Sequence, residues 1–95
     1  MSNFILLHVD DNVLICRKLT QAGTRIELDG VIVTLPEDIH VGHKIARRAL
    51  QVGDKIIKYG APVGSTTCAV VPGELVHLHN MKSDYIASHT RQVVS

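Results

Sequence analysis

The sequence predicts an all-β fold, and three observations support this prediction. The 95 residues include only three aromatic ones, so the core has to be built from Val, Ile, Leu and Ala, and the branched members of this set favour strands. The apolar runs are short, and none approaches the roughly 18 residues of a membrane span. Glycine-containing turn sequences separate the runs. We therefore expect one small domain of short strands joined by glycine turns.

The first half of the chain alternates predicted strands with polar turns. Asp29-Gly30 is a typical hairpin turn between two runs of strand-forming residues. The polar segment 10–12 joins two earlier apolar runs in the same manner, and residues 17–23 lead out of the second of them. The strands expected in this half are residues 4–9, 13–16, 24–28 and 31–35.

A short pattern recurs three times from Pro36 onward. Each copy places an aliphatic residue three positions before a glycine and another three positions after it, at Gly42, Gly53 and Gly73. Glycine in this place provides a positive φ angle for a tight turn that launches a strand. The copies start at residues 39, 50 and 70, so the pattern is a repeated turn device and not a solenoid of fixed period.

The second half contains further strands and one loop. Residues 44–50 fit either a short amphipathic helix or an irregular strand, and the strand is favoured because two glycine turns flank the segment closely. We expect a strand at 54–58 and a glycine-rich loop at 59–64. Residues 84–95 lack periodicity and are expected to form a tail that is ordered only against something else.

Composition excludes several classes of function. Ten Lys and Arg against nine Asp and Glu leave a formal charge of +1, with no long basic run and few aromatic residues, so no nucleic acid partner is expected.

Cys16 and Cys68 lie far apart in apolar neighbourhoods, which predicts reduced, buried thiols and no disulfide. The N-terminus lacks the pattern of a signal peptide and no run is long enough for a membrane span, so we expect a cytoplasmic protein.

Residues 74–80 are the candidate functional strand. If this stretch is a strand, His77 and His79 project to one face while Val76 and Leu78 project to the other. Two neutral imidazoles at this spacing can reach one divalent ion. The alternative is a pair of solvent-facing or hydrogen-bonded histidines, because two ligands do not complete a metal site.

Four segments carry a resemblance to a known family. They are Val-Thr-Leu-Pro-Glu-Asp-Ile at 33–39, Gly-His-Lys-Ile-Ala at 42–46, Ile-Ile-Lys-Tyr-Gly-Ala-Pro-Val-Gly at 56–64 and Gly-Glu-Leu-Val-His-Leu-His-Asn at 73–80. Together they resemble the SAF domain of the altronate and galactarate dehydratase family. The resemblance implies a β-clip fold over residues 1–85, followed by a C-terminal tail at 86–95.

The resemblance also implies a function and a partner. In this family the SAF domain accompanies a much larger catalytic portion, so the chain is expected to be the small subunit of a two-chain hydro-lyase that eliminates water from a sugar acid. The isolated chain is then expected to be inactive, and whether it forms a homo-oligomer is left open. The alternatives are the small subunit of a sulfolactate sulfo-lyase and a non-catalytic SAF module that binds carbohydrate or protein.

The resemblance assigns expected roles to eight residues. His43 and Lys58 are the catalytic candidates, His43 as a general base near neutral pH or as a third metal ligand, and Lys58 at a substrate carboxylate. The implied cofactor is a divalent metal such as iron(II) or manganese. For each residue a structural role is the alternative, for example Tyr59 in the core. The expected substrate-binding residues are Lys44, Tyr59, Gly60 and Asn80, and the expected metal ligands are His77 and His79.

Overall fold

The computed structural model describes residues 2–84, and it confirms the all-β prediction. Its architecture agrees with a SAF β-clip. No helix in this part of the chain is long and apolar enough to cross a membrane. The strands are β1 (Phe4–Ile5), β2 (Val13–Cys16), β3 (Arg25–Leu28), β4 (Val31–Thr34), β5 (Lys44–Ala46), β6 (Lys55–Lys58), β7 (Ala61–Thr66), β8 (Leu75–Val76) and β9 (Met81–Lys82).

The strands form three antiparallel sheets in an elongated molecule of 47 × 22 × 22 Å. The largest sheet has the order β1-β2-β5-β8, and the others are the β3-β4 hairpin and the sheet β6-β7-β9. The predicted pairing of the first two strands is confirmed, with Phe4 opposite Cys16. The predicted hairpin at Asp29-Gly30 is also confirmed.

Strand β5 lies between the two apolar clusters of the core. Successive side chains of a strand point to opposite faces, so Ile45 enters one cluster and Ala46 the other. Both side chains are completely buried. The cluster around Ile45 contains Phe4, Cys16, Leu35 and Ile39, and the cluster around Ala46 contains Val13, Leu50, Ile56, Val70, Val76 and Met81.

The glycine turns belong to an internal repeat. The three predicted turn glycines are joined by a fourth, Gly23, and all four have φ angles of 87° or 88°. The residues three positions before them pair through isolated bridges, Thr20 with Ile39 and Leu50 with Val70. The chain therefore contains two similar halves that each use two glycine turns. The sequence pattern missed the first turn because Thr20 stands where the other copies have an aliphatic residue.

The two halves are displaced by 30 positions along the sequence. Strands β3 and β6, residues 25–28 and 55–58, are equivalent, and so are the hairpin turns Asp29-Gly30 and Tyr59-Gly60. The β6-β7 pairing contains a bulge that inserts one residue, Val63, into the second half. After this residue, equivalent positions are 31 residues apart, as Gly42 and Gly73 are. This insertion hides the repeat from a search for a fixed period.

Several predicted elements are wrong in extent. The first strand ends at Ile5, and most of the apolar run that follows is exposed. The predicted loop at 59–64 is a two-residue turn followed by strand β7, since the ladder with β6 continues through it. Cys68 is exposed, although both cysteines are free as predicted. Strand β9 was not predicted, and the tail at 86–95 lies outside the described residues.

Candidate functional site

The pairing of strands β5 and β8 brings two histidines together. Lys44 lies opposite Val76 in this ladder, so the preceding His43 meets the following His77. The two imidazole rings are stacked, with centroids 5.0 Å apart and an angle of 22° between their planes. His40 adds a third ring, edge-on to His43 at a centroid distance of 6.1 Å. The result is a cluster of three imidazoles at one end of the central sheet.

The predicted strand at residues 74–80 is wrong beyond Val76. Residues 77–80 form a turn, in which Asn80 Oδ1 accepts a hydrogen bond from the His77 N–H at 2.9 Å. The Asn80 amide group also donates to the Leu75 carbonyl at 2.8 Å, and the side chain is buried. Asn80 therefore ends the strand, because its side chain accepts the hydrogen bond of the His77 N–H group, which a longer strand would donate to its neighbour. Its contact with a substrate stays a prediction.

His77 and His79 consequently do not stand on a strand face. Both are exposed, and the ring that the structure brings to His77 is that of His43. Within residues 2–84 there is no group of three or more His, Cys, Asp and Glu side chains that can hold a metal ion. Near-parallel stacked rings also direct their nitrogen lone pairs side by side rather than toward one point. The described residues alone do not fit a complete metal centre.

Lys44 is the first residue of strand β5, and Lys58 is the last residue of strand β6. Both are half-buried, and the ion pairs of the described chain involve neither of them. Burial, and then the nearby charge of Lys58, lowers the pKa of the Lys44 ammonium group. Two cations that repel each other and have no acidic partner among residues 2–84 favour the binding of an anion.

The internal repeat marks this lysine pair as unusual. At a displacement of 30 positions, Leu14 is equivalent to Lys44 and Leu28 to Lys58. Leu28 is buried, and Leu14 packs against the cluster around Ile45. The same backbone positions therefore carry core leucines in one half and charged side chains in the other.

Tyr59 and Gly60 form the turn that follows Lys58. The Asp11 carboxylate accepts hydrogen bonds from both of their backbone N–H groups, each at 2.8 Å. The Tyr59 ring is 74% exposed, so the alternative role of Tyr59 as a core residue is wrong. The neighbouring Asn12 side chain bonds to the Lys55 carbonyl and the Ile57 N–H.

The structure thus brings the rings of His43 and His77 into contact, and it places Lys44 and Lys58 close enough for their charges to repel. His43 directly precedes β5 and Lys44 is the first residue of that strand, so the two pairs are adjacent along the chain. Sequence reasoning missed His40 and Asp11. The signal for His40 is its spacing: it lies three residues before His43, and the turn at Gly42 between them brings the two rings together. The segment around Asp11 was interpreted as a plain turn, and no local signal marks its contact with residues 48 and 49 positions away.

The fold and these pairs define a small β-clip domain with a cationic, histidine-bearing surface. The model of the family described as "Altronate/galactarate dehydratase SAF domain" matches residues 2–84, so the chain belongs to that family. The resemblance seen in the sequence is confirmed.

Individual relatives carry the names of lyases. The chain is 39% identical over 84 residues to the altronate dehydratase of Bacillus subtilis (strain 168), a match that covers 88% of this chain and 17% of the relative. It is 35% identical over 81 residues to the altronate dehydratase of Escherichia coli (strain K12), covering 85% and 16%. It is 41% identical over 51 residues to the (2R)-sulfolactate sulfo-lyase subunit alpha of Paracoccus pantotrophus, covering 54% and 76%. The chain thus spans about one sixth of the dehydratases that it matches.

Proposed function

We propose that this chain is the small subunit of a two-chain lyase of altronate dehydratase type, which eliminates water from a hydroxy-carboxylate. The observation that carries this proposal is that Lys44 and Lys58 have no ion-pair partner among residues 2–84, so they offer a carboxylate two half-buried cations. A bound carboxylate would relieve the repulsion between them, and charge-assisted hydrogen bonds of this type are among the stronger polar contacts in proteins.

The imidazole cluster supplies groups for proton transfer. Elimination next to a carboxylate requires a base for the proton on the α-carbon and an acid for the departing hydroxyl. His43 is half-buried against His77, and an imidazole can both accept and donate a proton. In the proposal His43 exchanges protons with the substrate and Lys58 holds its carboxylate.

A larger polypeptide completes the site in this proposal. His77 and His79 are exposed to solvent, and the dehydratases that the chain matches are about six times longer than the matched region. The sulfo-lyase relatives are named as subunits, which supports an arrangement in separate chains.

The divalent metal also belongs to this proposal. His77 and His79 would supply at most two imidazole ligands, and the partner would have to supply the others. When bound, the ion would stabilise the negative charge that develops on the substrate oxygens. Metal analysis of the purified complex, compared with a His77→Ala, His79→Ala double variant, tests this part; equal metal content in both would refute it.

A sulfo-lyase subunit is the second candidate function. Sulfolactate carries a carboxylate and a sulfonate, and the two lysines match two anionic groups as well as they match one. The relatives named sulfo-lyase subunit alpha are 41% and 40% identical to this chain over their matched segments. The two candidates differ in the leaving group and not in the architecture of the site.

Affinity purification of the chain from its native source, followed by mass spectrometry, is the first test. We expect a large dehydratase-like subunit to co-purify, and the complex to eliminate water from altronate or galactarate, or sulfite from (2R)-sulfolactate. A complex that is inactive on all three acids, or a chain that purifies without a large subunit, would favour a non-catalytic binding module.

The lysine pair is tested in the active complex. Lys58→Leu is expected to raise the KM for the acid substrate by about tenfold or more, because a charge-assisted contact is lost. Lys18→Leu, which removes an exposed lysine elsewhere, is the control and should leave KM unchanged. An unaltered KM in Lys58→Leu would rule out its contact with the substrate carboxylate.

A further inference from the structure

The Tyr59-Gly60 turn has an unfavourable backbone for its sequence. Tyr59 has a φ angle of 58°, in the left-handed region that bulky side chains rarely adopt, and Gly60 follows with a φ of 77°. The equivalent turn in the first half uses Asp29, at a φ of 51°, and Gly30. Aspartate tolerates this conformation well, whereas tyrosine does not. The second half therefore keeps an exposed aromatic residue where its own repeat has a better turn residue.

Asp11 compensates for this strain from outside the hairpin. Asp11 is only 1% exposed, and its two carboxylate oxygens accept from the two consecutive N–H groups of Tyr59 and Gly60. This bidentate contact requires the turn to present both donors in the same direction. The His8 ring also lies against this turn, because a Cβ atom at Gly60 would lie 3.1 Å from His8 Cδ2.

The segment that carries Asp11 is itself anchored. The Arg47 guanidinium donates to the Val9 carbonyl at 3.0 Å and to the Asp11 carbonyl at 2.9 Å. The Arg47 N–H donates to the Asn12 carbonyl at 2.9 Å. Asp11 is thus fixed by Arg47, the residue that directly follows strand β5, and Lys44 lies on that strand.

The first half contains no corresponding support for its turn among the described hydrogen bonds. Asp29 is itself the turn residue, and its carboxylate is exposed and faces Arg47 at 3.3 Å. Among the described residues, a buried carboxylate therefore supports the Tyr59-Gly60 turn, whose sequence disfavours the turn conformation, and not the Asp29-Gly30 turn. Strain that is retained and compensated in this way is typical of functional sites.

We propose that Asp11 is a positioning residue, which holds the Lys58-Tyr59-Gly60 turn in its strained conformation so that Lys58 and the Tyr59 ring contact the acid substrate. This inference rests on the proposed function, because it assigns Lys58 and Tyr59 to the same ligand. Tyr59 would pack its ring on the carbon chain of the substrate, while Lys58 binds the carboxylate. Asp11 itself makes no contact with the ligand.

The first test compares Asp11→Asn with Asp29→Asn, the same chemical change at the equivalent hairpin. Asp11→Asn removes one of the two acceptors, so the turn loosens and Lys58 is no longer held beside Lys44. In the full chain without substrate, we expect the pKa of Lys44, followed by its ¹³Cε NMR signal, to rise toward its ordinary value. In the complex we expect the KM for altronate or (2R)-sulfolactate to rise about tenfold, with a smaller change in kcat. Asp29→Asn keeps a side-chain oxygen that can accept from the Arg47 guanidinium, so it should change neither quantity.

A second variant covers the case in which Asp11→Asn does not fold. Tyr59→Asn places a residue that tolerates positive φ in the turn, so the midpoint temperature of unfolding should rise while KM rises as well. A merely structural turn would gain stability without any loss of substrate affinity. Unchanged KM in Tyr59→Asn, or a folded Asp11→Asn with unchanged Lys44 titration and unchanged KM, would overturn the proposal. If the wild-type complex has no lyase activity, the proposed function fails, and the Lys44 titration still tests the role of Asp11.

Discussion

The two halves of this protein share a backbone and differ in what the backbone carries. The hairpin β3-β4 ends in Asp29-Gly30, and the hairpin β6-β7 ends in Tyr59-Gly60, with the same pair of positive φ angles. The first half has leucines where the second has Lys44 and Lys58. The comparison teaches that the repeat supplies the scaffold and that the second half departs from it at the positions proposed to bind an acid.

The largest expected effect on stability is at a position where the first half has room for a side chain and the second half does not. Gly64 in β7 is opposite Ile56, as Val33 in β4 is opposite Ile26, so the two positions are equivalent. A Cβ atom at Gly64 would clash with the Lys82 carbonyl and lie 2.7 Å from Met81 Cε. Gly64→Ala should therefore lower the free energy of unfolding by about 3 kcal/mol or more.

Val33→Ala is the control for that substitution and should cost only about 1 kcal/mol, because the half-buried valine loses methyl contacts. Chemical denaturation of the three proteins measures the difference. Equal losses in the two variants would show that the halves are not packed as described.

The next effect separates two equivalent turn glycines. Gly42 and Gly73 both have a φ of 88°, so either substitution by alanine costs about 1–2 kcal/mol of backbone strain. At Gly42 nothing lies within 4 Å of the added Cβ atom, whereas at Gly73 it would lie 2.5 Å from Val33 Cγ1. Gly73→Ala should be the more destabilising variant in thermal unfolding; the reverse order would contradict the packing of β4 against this turn.

A smaller effect on stability is expected from exchanging Lys58 for the residue that its repeat carries. Lys58→Leu removes one of two repelling cations from a half-buried position, so the free energy of unfolding should stay the same or rise by up to about 1 kcal/mol. A loss of stability in urea denaturation would show that the lysine has a structural role. Together with the expected rise in KM, a neutral or positive result separates binding from folding.

The smallest expected effect is the pH dependence of stability that arises from the Asp11 carboxylate, for which the first half has no equivalent among the described hydrogen bonds. Burial alone would raise the pKa of the Asp11 carboxyl, but the N–H groups of Gly60 and Tyr59 outweigh it, so the pKa lies below its ordinary value of 3.8. The unfolded chain binds the proton more tightly, so this stabilisation is fully present above pH 3.8 and is lost as the pH falls through the folded-state pKa. Asp84 acts in the same direction, because Lys55 and Ser65 donate to its carboxylate.

Unfolding measured between pH 3 and pH 6 should therefore show a shallow loss of stability on the acid side. The loss should be smaller in Asp11→Asn than in the wild type. An identical pH profile in the two proteins would show that the Asp11 carboxylate is not held by the turn.

Predictions succeeded where the deciding interaction is local. Asp29-Gly30 forms its turn because both residues accept positive φ, and Gly42, Gly53 and Gly73 do so because glycine has no Cβ atom. The strand prediction for residues 74–80 failed because apolar-polar alternation continues through a segment in which the Asn80 side chain competes for the His77 N–H.

The sequence by itself determined the class of fold, the family and the turns at Asp29-Gly30, Gly42, Gly53 and Gly73, because composition, motif residues and glycine spacing can be read along the chain. Only the tertiary structure decided which of the candidate residues meet. His43 reaches His77, and Asp11 reaches Tyr59 and Gly60, because ladders and buried hydrogen bonds bring together residues that are distant in sequence. Such contacts depend on how the strands pack together, and no local pattern encodes them.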